Sequence, residues 1–467
     1  MIETNDIAEL KALIVSLQAE IQRLRAENEE LKTRLAQNST NSHKPPTSDG
    51  LAKKAIKPAF PNDKSKKQGG QPGHPGKTLL MTHTPDTVIE HRPTHCQRCG
   101  QDLTRFTPTL LQRRQVFDLP QPRLYVEEHR QVGLLCACGC INAGQFPAWV
   151  SAPVQYGPRI QAQSILFNID YKLPFAKVTQ LWADLTGYAY NPATLTNAQT
   201  VLYEQLGPIE VHLKEQLQAA GVCHFDETGL RVGGKLEWLH VACTAFFTYL
   251  FVHPSRGQKA LKATQSVFEG CTNWVVHDCW SSYFVAGKGR HALCGAHLLR
   301  ELQAQIEGGH QWAKYLHEYL LALYKSSRHG PLPANERRSW QHMYRQLCEQ
   351  GQEQECPPLI FYTKAGKAFN KRPKQTSGRN LLDRLIAHEE AVLAFGFEEG
   401  VPFTNNEAER ALRPAKIKQK VSGGFRTQAG AHTYARITGF IATMRKQECN
   451  VVEQLANVLS GSFQWAT

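Results

Sequence analysis

The chain has 467 residues, of which 41% are hydrophobic and 20% are charged. This length exceeds that of one ordinary domain, and the composition is that of globular protein, which excludes a chain that is disordered throughout. The formal net charge of +13 indicates a polyanionic partner, for which nucleic acid is the commonest candidate.

The sequence lacks the marks of a membrane or secreted protein. No apolar run reaches the roughly 18 residues that span a bilayer, and the N-terminus lacks the apolar core of a signal peptide. The 13 cysteines are scattered through apolar segments rather than spaced as a secreted disulfide framework. We therefore expect a cytoplasmic protein without membrane contacts.

A heptad repeat runs without a break from Ile7 to Leu35. Its a positions hold mostly Ile and its d positions hold Leu, which favours a parallel two-stranded coiled coil, and Asn28 at an a position specifies the register. We predict a leucine zipper over residues 1–38 that forms a homodimer; one amphipathic helix packed on its own core is the alternative. The residues predicted to contact the partner helix are Ile14, Leu17, Ile21, Leu24, Asn28 and Leu31.

Residues 39–85 have the composition of a flexible linker. They combine Pro and Gly runs with a cluster of lysines, and few of their side chains can fill a core. Lys-rich linkers lie along DNA phosphates without reading bases, so we expect Lys66 and Lys67 to contact DNA. A solvated spacer is the alternative interpretation.

Two cysteine clusters in residues 86–150 predict a small, β-rich zinc module. The first is a CxxC turn and the second is a CxCxC run, and the segments between them, 114–119 and 124–132, have the pattern of strands. Cysteine pairs on neighbouring hairpins can bring four thiolates to one ion; buried free thiols are the alternative. The expected ligands of one structural Zn²⁺ are Cys96, Cys99, Cys136 and Cys138, with Cys140 as a competing ligand.

Residues 151–205 contain a candidate helix-turn-helix. The apolar spacing of residues 173–185 predicts a first helix, which Gly187 ends. Asn191 and Pro192, an N-cap followed by a proline at the first helical position, predict the start of a second helix. Such a pair of helices reads the major groove in many DNA-binding proteins, and it also packs in ordinary helical domains. Both interpretations stay open here.

Residues 206–445 contain five predicted strands, and residues 446–467 are expected to form a helical tail. Three strands come first, then a helix, and then two short strands separated by a further helix. The predicted strands are 222–226, 238–245, 247–253, 274–278 and 291–294, and the first helix is 258–268. This is the order of a ribonuclease-H-like α/β sheet, in which the first and fourth strands are adjacent.

Asp226 and Asp278 each close an apolar strand of this series. Because the two strands are expected to be adjacent, both carboxylates should meet at one edge of the sheet. Two carboxylates held together repel each other unless a cation neutralises them, and oxygen ligands favour Mg²⁺ or Mn²⁺.

A third acid is expected on a short helix that Asn405 caps and Pro414 ends. Glu407 and Glu409 both flank the apolar stripe of this helix. Periodicity therefore does not choose between them.

The chain resembles bacterial insertion-sequence transposases of the IS-sixty-six type along nearly its whole length. The motifs that carry the resemblance are the zipper, Asn41-Ser42, Gly69-Gly70-Gln71-Pro72-Gly73-His74-Pro75-Gly76, the cysteine module, Tyr156-Gly157-Pro158, Asp226-Glu227-Thr228, His277-Asp278, Cys294-x-x-His297 and Asn405-Asn406-x-x-Glu409-Arg410. The resemblance implies that Glu409 is the third acid of a DDE triad and that residues 300–397 are a helical insertion in the catalytic domain. The second cysteine cluster departs from the family's usual CxxC.

The resemblance and the acids together predict a multidomain DDE transposase. Two divalent ions held by Asp226, Asp278 and Glu409 would support hydrolysis at the transposon end and joining of the freed 3′ hydroxyl to target DNA. Cys294 and His297 are expected to brace the core beside this site, or else to be ordinary buried side chains. The basic residues expected to hold DNA phosphates, unless they form only a solvated face, are Arg410, Arg413, Lys416, Lys418, Lys420 and Arg426.

The expected partners are double-stranded DNA, a second copy of the chain and small accessory proteins of the same element, and DNA binding would place the protein on the nucleoid. Two other functions stay open. An inactive DNA-binding regulator is disfavoured because all three acids are present, and a nuclease of the same fold is disfavoured because pairing two DNA ends requires a dimer.

Overall fold

The computed structural model describes residues 79–355, 357 and 375–465, together with scattered residues between 13 and 42. The described residues between 13 and 35 are helical, and their large apolar side chains are exposed. A row of exposed apolar residues on a helix is what one strand of a coiled coil presents on its own, and its contact with a second copy stays a prediction. Lys66 and Lys67 lie outside the described residues.

The segment 79–157 has little regular secondary structure. Strands β1 (Gly133–Leu135) and β2 (Ile141–Ala143) form a short antiparallel hairpin. The strands predicted at 114–119 and 124–132 are wrong, since both segments lack regular structure. A strand needs a neighbour for its N–H and C=O groups, and neither segment pairs with another in the described part of the chain. An alternating pattern of apolar and polar side chains in the sequence does not show whether such a neighbouring strand exists.

Three helices follow, and they confirm the predicted helix-turn-helix elements. Their bounds are Pro158–Ile169 for α1, Phe175–Thr186 for α2 and Pro192–Ala219 for α3. Gly187 ends α2 in the left-handed conformation, with φ of 77°, and its N–H donates to Ala183 O. The Asn191 side chain caps α3 by accepting from Ala193 N at 2.8 Å. Helix α3 continues through position 205, where the expected domain boundary falls.

A five-stranded sheet has the strand order β5-β4-β3-β6-β7. Its strands are β3 (Val222–Val232), β4 (Lys235–Cys243), β5 (Thr248–His253), β6 (Trp274–His277) and β7 (Arg290–Leu293). Strands β3, β4 and β5 are antiparallel, whereas β6 runs parallel to β3 and β7 runs parallel to β6. The predicted adjacency of the first and fourth strands is confirmed.

The predicted helix at 258–268 is wrong over most of its length. Helix α4 covers only Gln258–Leu261, and a 3-10 turn follows at Phe268–Gly270. Ser266 Oγ accepts from Phe268 N at 3.2 Å between the two. Serine bonds to nearby backbone in this way and thereby favours turns over helix interiors. Helix α5 (Ser281–Ala286) then connects β6 to β7.

The described part of residues 300–397 is helical, as expected for the insertion. The helices after β7 are α6 (Gly295–Glu307), α7 (Gln311–Ser326), α8 (Ala334–Gln354), α9 (Ser377–Ala387) and α10 (Glu389–Phe397). Their apolar faces share one core with β6 and β7. The N-terminal segment also reaches this region, because Asn41 Nδ2 donates to Glu307 Oε2 at 2.6 Å.

The chain closes with α11 (Asn406–Ser422), α12 (Gln428–Lys446) and α13 (Val451–Ser460). These helices and α1 to α3 form a second core against β3, β4 and β5. The sheet is thereby covered on this face by helices that precede it and helices that follow it in the chain. None of the helices described is at once long and apolar enough to cross a bilayer.

Candidate active site

Strands β3 and β6 bring Asp226 and Asp278 to the same level. Their parallel register pairs Val222 with Trp274 and His224 with Val276, and continued by two residues it sets Asp226 opposite Asp278. Asp278 follows the last residue of β6, as expected. Asp226 does not close its strand, because β3 continues to pair with β4 as far as Val232. Asp226 therefore lies in the middle of the long strand β3, near the level at which the shorter strand β6 ends.

The carboxylates at this edge disfavour one another's ionisation. Burial raises the pKa of Asp226 well above its ordinary value, and the charges of Glu227, Asp278 and Glu409 raise it further. The backbone N–H of Glu227 donates to Asp226 Oδ1 at 2.8 Å and opposes this shift only in part. Such a cluster of oxygen ligands attracts a hard divalent cation, which removes the repulsion.

The two candidate third acids lie in different surroundings. Glu409, in the first turn of α11, contributes to the raised pKa of Asp226. Glu407 instead lies 3.7 Å from Arg410 and 3.5 Å from Lys446, which makes it a partner of cations. The charge of Glu409 thus acts on Asp226, whereas Glu407 is paired with cations, and helical periodicity does not make this distinction.

Cys294, His297 and Glu409 form a compact group beside the acids. One ligand atom from each lies within 4.8 Å of the other two, and this is the one such group of three in the described residues. His297 Nδ1 is 3.8 Å from Glu409 Oε1. Burial raises the pKa of the Cys294 thiol to about 11. A thiol, an imidazole and a carboxylate suit a borderline cation such as Zn²⁺, whereas the aspartates suit Mg²⁺.

Asn405 connects the helix of Glu409 to the strand of Asp226. Its Oδ1 accepts from His224 Nδ1 at 2.8 Å, its Nδ2 donates to Phe225 O at 2.7 Å, and its N–H donates to Cys294 Sγ at 3.2 Å. The residue occupies the N-cap position as predicted, but its side chain makes no capping bond. The side chain bonds instead to His224 and to the backbone carbonyl of Phe225, both on β3.

The prediction that Pro414 ends this helix is wrong. Helix α11 continues to Ser422 and ends at Gly423, which is in the left-handed conformation with φ of 72°. Proline removes one helical hydrogen bond and disfavours a helix interior. Packing of Ala408, Leu412 and Ala415 in the core outweighs this local penalty.

The basic residues divide into an exposed set, of which Arg410 also lies near Glu407, and a second set that is paired within the fold. Arg436, Arg445 and Lys446 pair with carboxylates of Glu210, Asp170 and Glu407, respectively, which makes them part of the fold. Lys418 is half-buried and burial lowers its pKa. The exposed members of the predicted DNA-binding set are Arg410, Arg413, Lys416, Lys420 and Arg426. Lys416 lies near the acids, because the charge of Asp226 opposes the lowering of its pKa by desolvation.

The two cysteine clusters form separate turns. Gly100 N donates to Cys96 O at 2.9 Å, and Cys136 N donates to Cys140 O at 2.8 Å. Backbone N–H groups lower the pKa of Cys96 and of Cys138, as is suitable for thiolate ligands. No cysteine of either turn belongs to the close group of three ligands found in the described residues, and the zinc site stays a prediction.

Sequence reasoning did not single out Glu227. This residue follows Asp226 and is buried, with Arg256 Nε donating to its Oε1 at 2.6 Å and the Tyr283 hydroxyl donating to its Oε2. The available signal was the adjacent pair of acids on an apolar strand. A second acid next to Asp226 points to the opposite face of β3 and needs a partner of its own there.

Replacing Asn405 with alanine should lower the free energy of unfolding by about 2 to 4 kcal/mol, because two buried groups on β3 lose their partner. Chemical denaturation of the metal-free protein measures the change. The neighbouring Asn406 is exposed, and Asn406→Ala should stay within about 0.5 kcal/mol of the original protein. If Asn405→Ala and Asn406→Ala lower the free energy of unfolding equally, the hydrogen bonds of Asn405 do not stabilise the fold.

The raised pKa of Asp226 predicts a pH-dependent effect of Asp226→Asn in metal-free protein. A group whose pKa is raised by folding contributes its stability below the unfolded value of about 4, and loses it as pH rises through the folded value. The variant should therefore melt at a higher temperature than the original chain at pH 7 to 8, and at the same temperature near pH 4. Divalent cations should stabilise the original chain more than the variant.

Thermal unfolding at both pH values, with and without Mg²⁺, checks this expectation. Asp184→Asn is the matched control, because Asp184 is exposed. A variant that is less stable than the original at pH 7 to 8 without metal contradicts the assigned repulsion.

Two family models match the chain. The Transposase IS66 family matches residues 153–433, which include the candidate helix-turn-helix, the sheet, the insertion and the helix of Glu409. A family of unknown function (DUF6444) matches residues 2–79, the predicted zipper and most of the linker. No curated protein matches the chain. Because the first match covers more than half of the sequence, the protein belongs to the Transposase IS66 family.

Proposed function

We propose that the protein is a DDE transposase that cleaves the phosphodiester at a transposon end and joins the freed 3′ hydroxyl to target DNA. The observation that carries this proposal is the strand register that sets Asp226 opposite Asp278, together with the effect of Glu409 on the pKa of Asp226. The family supports the activity. We assign residues 206–445 to a ribonuclease-H-like domain because the order and directions of β3 to β7 agree with that fold.

The donor set fits a two-metal site. Asp226, Asp278 and Glu409 supply only oxygen ligands, and the pKa of Asp226 is raised first by burial and then by the charges of neighbouring carboxylates, whose repulsion a cation would relieve. Two Mg²⁺ or Mn²⁺ ions bound there would supply activation of the attacking water and stabilisation of the leaving 3′ oxygen. Asp226, whose pKa the charges of both Asp278 and Glu409 raise, would help to hold both ions. Asn405 bonds the start of the helix of Glu409 to β3, which supports a position of the third acid on the side of the sheet where the aspartates lie.

DNA binding is proposed for three parts of the chain. The exposed side chains of Arg410, Arg413, Lys416 and Lys420 lie on the helix that carries Glu409, so they would hold phosphates beside the cleaved bond. The helices α2 and α3 would read the transposon end, and Lys66 and Lys67 would add contacts that are independent of sequence.

Dimerisation through the predicted zipper would bring two transposon ends together. The apolar residues of this segment that are described are helical and exposed, which supports a role in contacting a second copy. A regulator without catalysis would not need to keep all three acids. A nuclease that only cuts would not need paired ends.

The test of this proposal is a strand-cleavage and strand-transfer assay on end-containing DNA with Mg²⁺. Asp226→Asn, Asp278→Asn and Glu409→Gln should each lower the rate at least about 100-fold, since a metal contributes several kcal/mol of charge stabilisation and each 1.4 kcal/mol is tenfold. Glu407→Gln is the matched control on the same helical turn and should retain most of the activity.

Each outcome of this assay separates the candidate functions. Full activity of the three variants would remove the assigned triad. Cleavage without joining by the original protein would favour the nuclease, and binding without cleavage would favour the regulator.

We also propose that one structural Zn²⁺ is bound by Cys96, Cys99, Cys136 and Cys138, with Cys140 as a competing ligand. Metal analysis of purified protein should show one zinc per chain lost in Cys99→Ser, because a structural site needs all four ligands. Cys449→Ser, at a cysteine in the C-terminal core, should leave the zinc content unchanged. Equal zinc in all three proteins would refute the site.

A further inference from the structure

A buried ion pair lies behind the candidate catalytic acids. Glu227 follows Asp226 on β3, and its side chain is 1% exposed. Arg256 Nε donates to Glu227 Oε1 at 2.6 Å, and the Tyr283 hydroxyl donates to Oε2. Each carboxylate oxygen of Glu227 therefore has a partner, and Arg256 uses only its Nε edge in this ion pair.

Two tryptophans hold the same guanidinium in place. The Arg256 guanidinium carbon lies 4.1 Å from the ring centre of Trp280 and 5.1 Å from that of Trp238. Trp280 is also tied to the catalytic edge, because its backbone N–H donates to Asp278 Oδ1 at 3.1 Å. Arg256 is thus fixed by neighbours of both aspartates, Glu227 on one side and Trp280 on the other.

The outer end of Arg256 remains accessible. The side chain is 39% exposed, and no acceptor in the described residues bonds to either of its Nη groups. A guanidinium carries five N–H donors in a planar fork that matches two oxygens of a phosphate. If Arg256 served only as the counter-ion of Glu227, it would need neither an exposed guanidinium edge nor stacking against two tryptophans.

The charges around the site indicate a function for the exposed guanidinium group of Arg256. Asp226, Asp278, Glu227 and Glu409 interact with one another through their charges, and they repel the phosphates of an approaching DNA strand. A cation fixed in advance at this edge offsets that repulsion and loses little conformational freedom when the strand binds. Arg256 is placed on the face of β3 opposite the helix of Glu409, so it adds a contact that the basic residues of α11 do not make.

We propose that Arg256 binds a phosphate of the DNA strand that the site cleaves, with Glu227, Trp280 and Trp238 as its positioning residues. This inference rests on the proposed transposase function and names a further residue of the same site. The ligand is a phosphodiester next to the cleaved bond, bound through the two Nη groups.

The first test compares Arg256→Lys with a matched control. Arg290 is also stacked on a tryptophan, 4.0 Å from the ring centre of Trp274, and bonded to Glu390 at 2.9 Å, but it lies at the opposite end of β6 and β7. Arg256→Lys keeps the charge and loses the fork, so single-turnover cleavage of end-containing DNA should fall about 10- to 100-fold. Arg290→Lys should cleave within about twofold of the original protein. Equal rates for both variants and the original would overturn the proposal.

The second test identifies the phosphate. DNA substrates that carry one neutral methylphosphonate at successive positions around the cleaved bond should show a position at which the original protein slows. Arg256→Ala should be slow on unmodified DNA and should lose no further rate at that position, because the contact is already absent. If each methylphosphonate slows cleavage by Arg256→Ala as much as it slows cleavage by the original protein, Arg256 contacts no phosphate.

Binding measurements separate this inference from the proposed function. The slope of log affinity against log salt should fall by about one for Arg256→Ala, as expected when one phosphate contact is lost, and should stay near that of the original protein for Arg256→Lys, which keeps the charge. A purely structural role would lower the melting temperature and leave the slope unchanged, which counts against the proposal. If Asp226→Asn cleaves normally, the catalytic assignment fails while the slope of the Arg256 variants still reports the phosphate contact. Should Arg256→Ala not fold, Arg256→Gln, which is neutral and of similar length, serves in each comparison.

Discussion

The parallel pairing of β3 with β6 is the contact on which the rest of the site depends. It is short, since three residue pairs join the strands, yet it links the antiparallel half of the sheet to the half that carries the insertion. A shift of this register by one residue would turn one of the two aspartates to the opposite face. The two apolar cores on either side of the junction, one with α11 to α13 and one with α6 to α10, hold the register in place.

The site places stability and activity in opposition. Buried carboxylates that repel one another disfavour the folded state at neutral pH, and they are retained where function requires them. The surrounding structure compensates with neutral, well-bonded groups. Asn405 satisfies His224 and the carbonyl of Phe225, while Tyr283 satisfies one oxygen of Glu227. Polar connections of this kind limit the movement of the segments that carry the acids.

Positive charge is not spread evenly over the molecule. Part of the excess is used within the fold, where arginines such as Arg436 and Arg384 pair with buried or half-buried glutamates. Another part is presented near the acids by α11 and by Arg256. The net charge of +13 therefore indicates a polyanionic partner, but the pairing of each side chain decides which cations are available to it.

Much of the fold could be predicted from local patterns. The helices around Gly187 and Asn191 agree with the structure, because left-handed glycines, capping side chains and apolar periodicity act over a few residues. The adjacency of β3 and β6 was expected from the order of the strands, and the helical segment after β7 from the family resemblance. The errors have the opposite origin. The strands expected near residues 114–132 lack partners, and the helix of Glu409 continues through Pro414, because distant segments decide whether a strand is paired or a helix is packed.

The sequence by itself determined the residue types of the site and their order along the chain: an Asp on each of two apolar strands, acids on a later helix and an excess of basic residues. Tertiary structure decided which of them meet. It paired Glu407 with Arg410 and Lys446, bonded the side chain of Asn405 to β3, and joined Arg256 to Glu227. These outcomes depend on distances between residues far apart in the chain, and hydrogen bonds and charges act only over such distances once the backbone is folded.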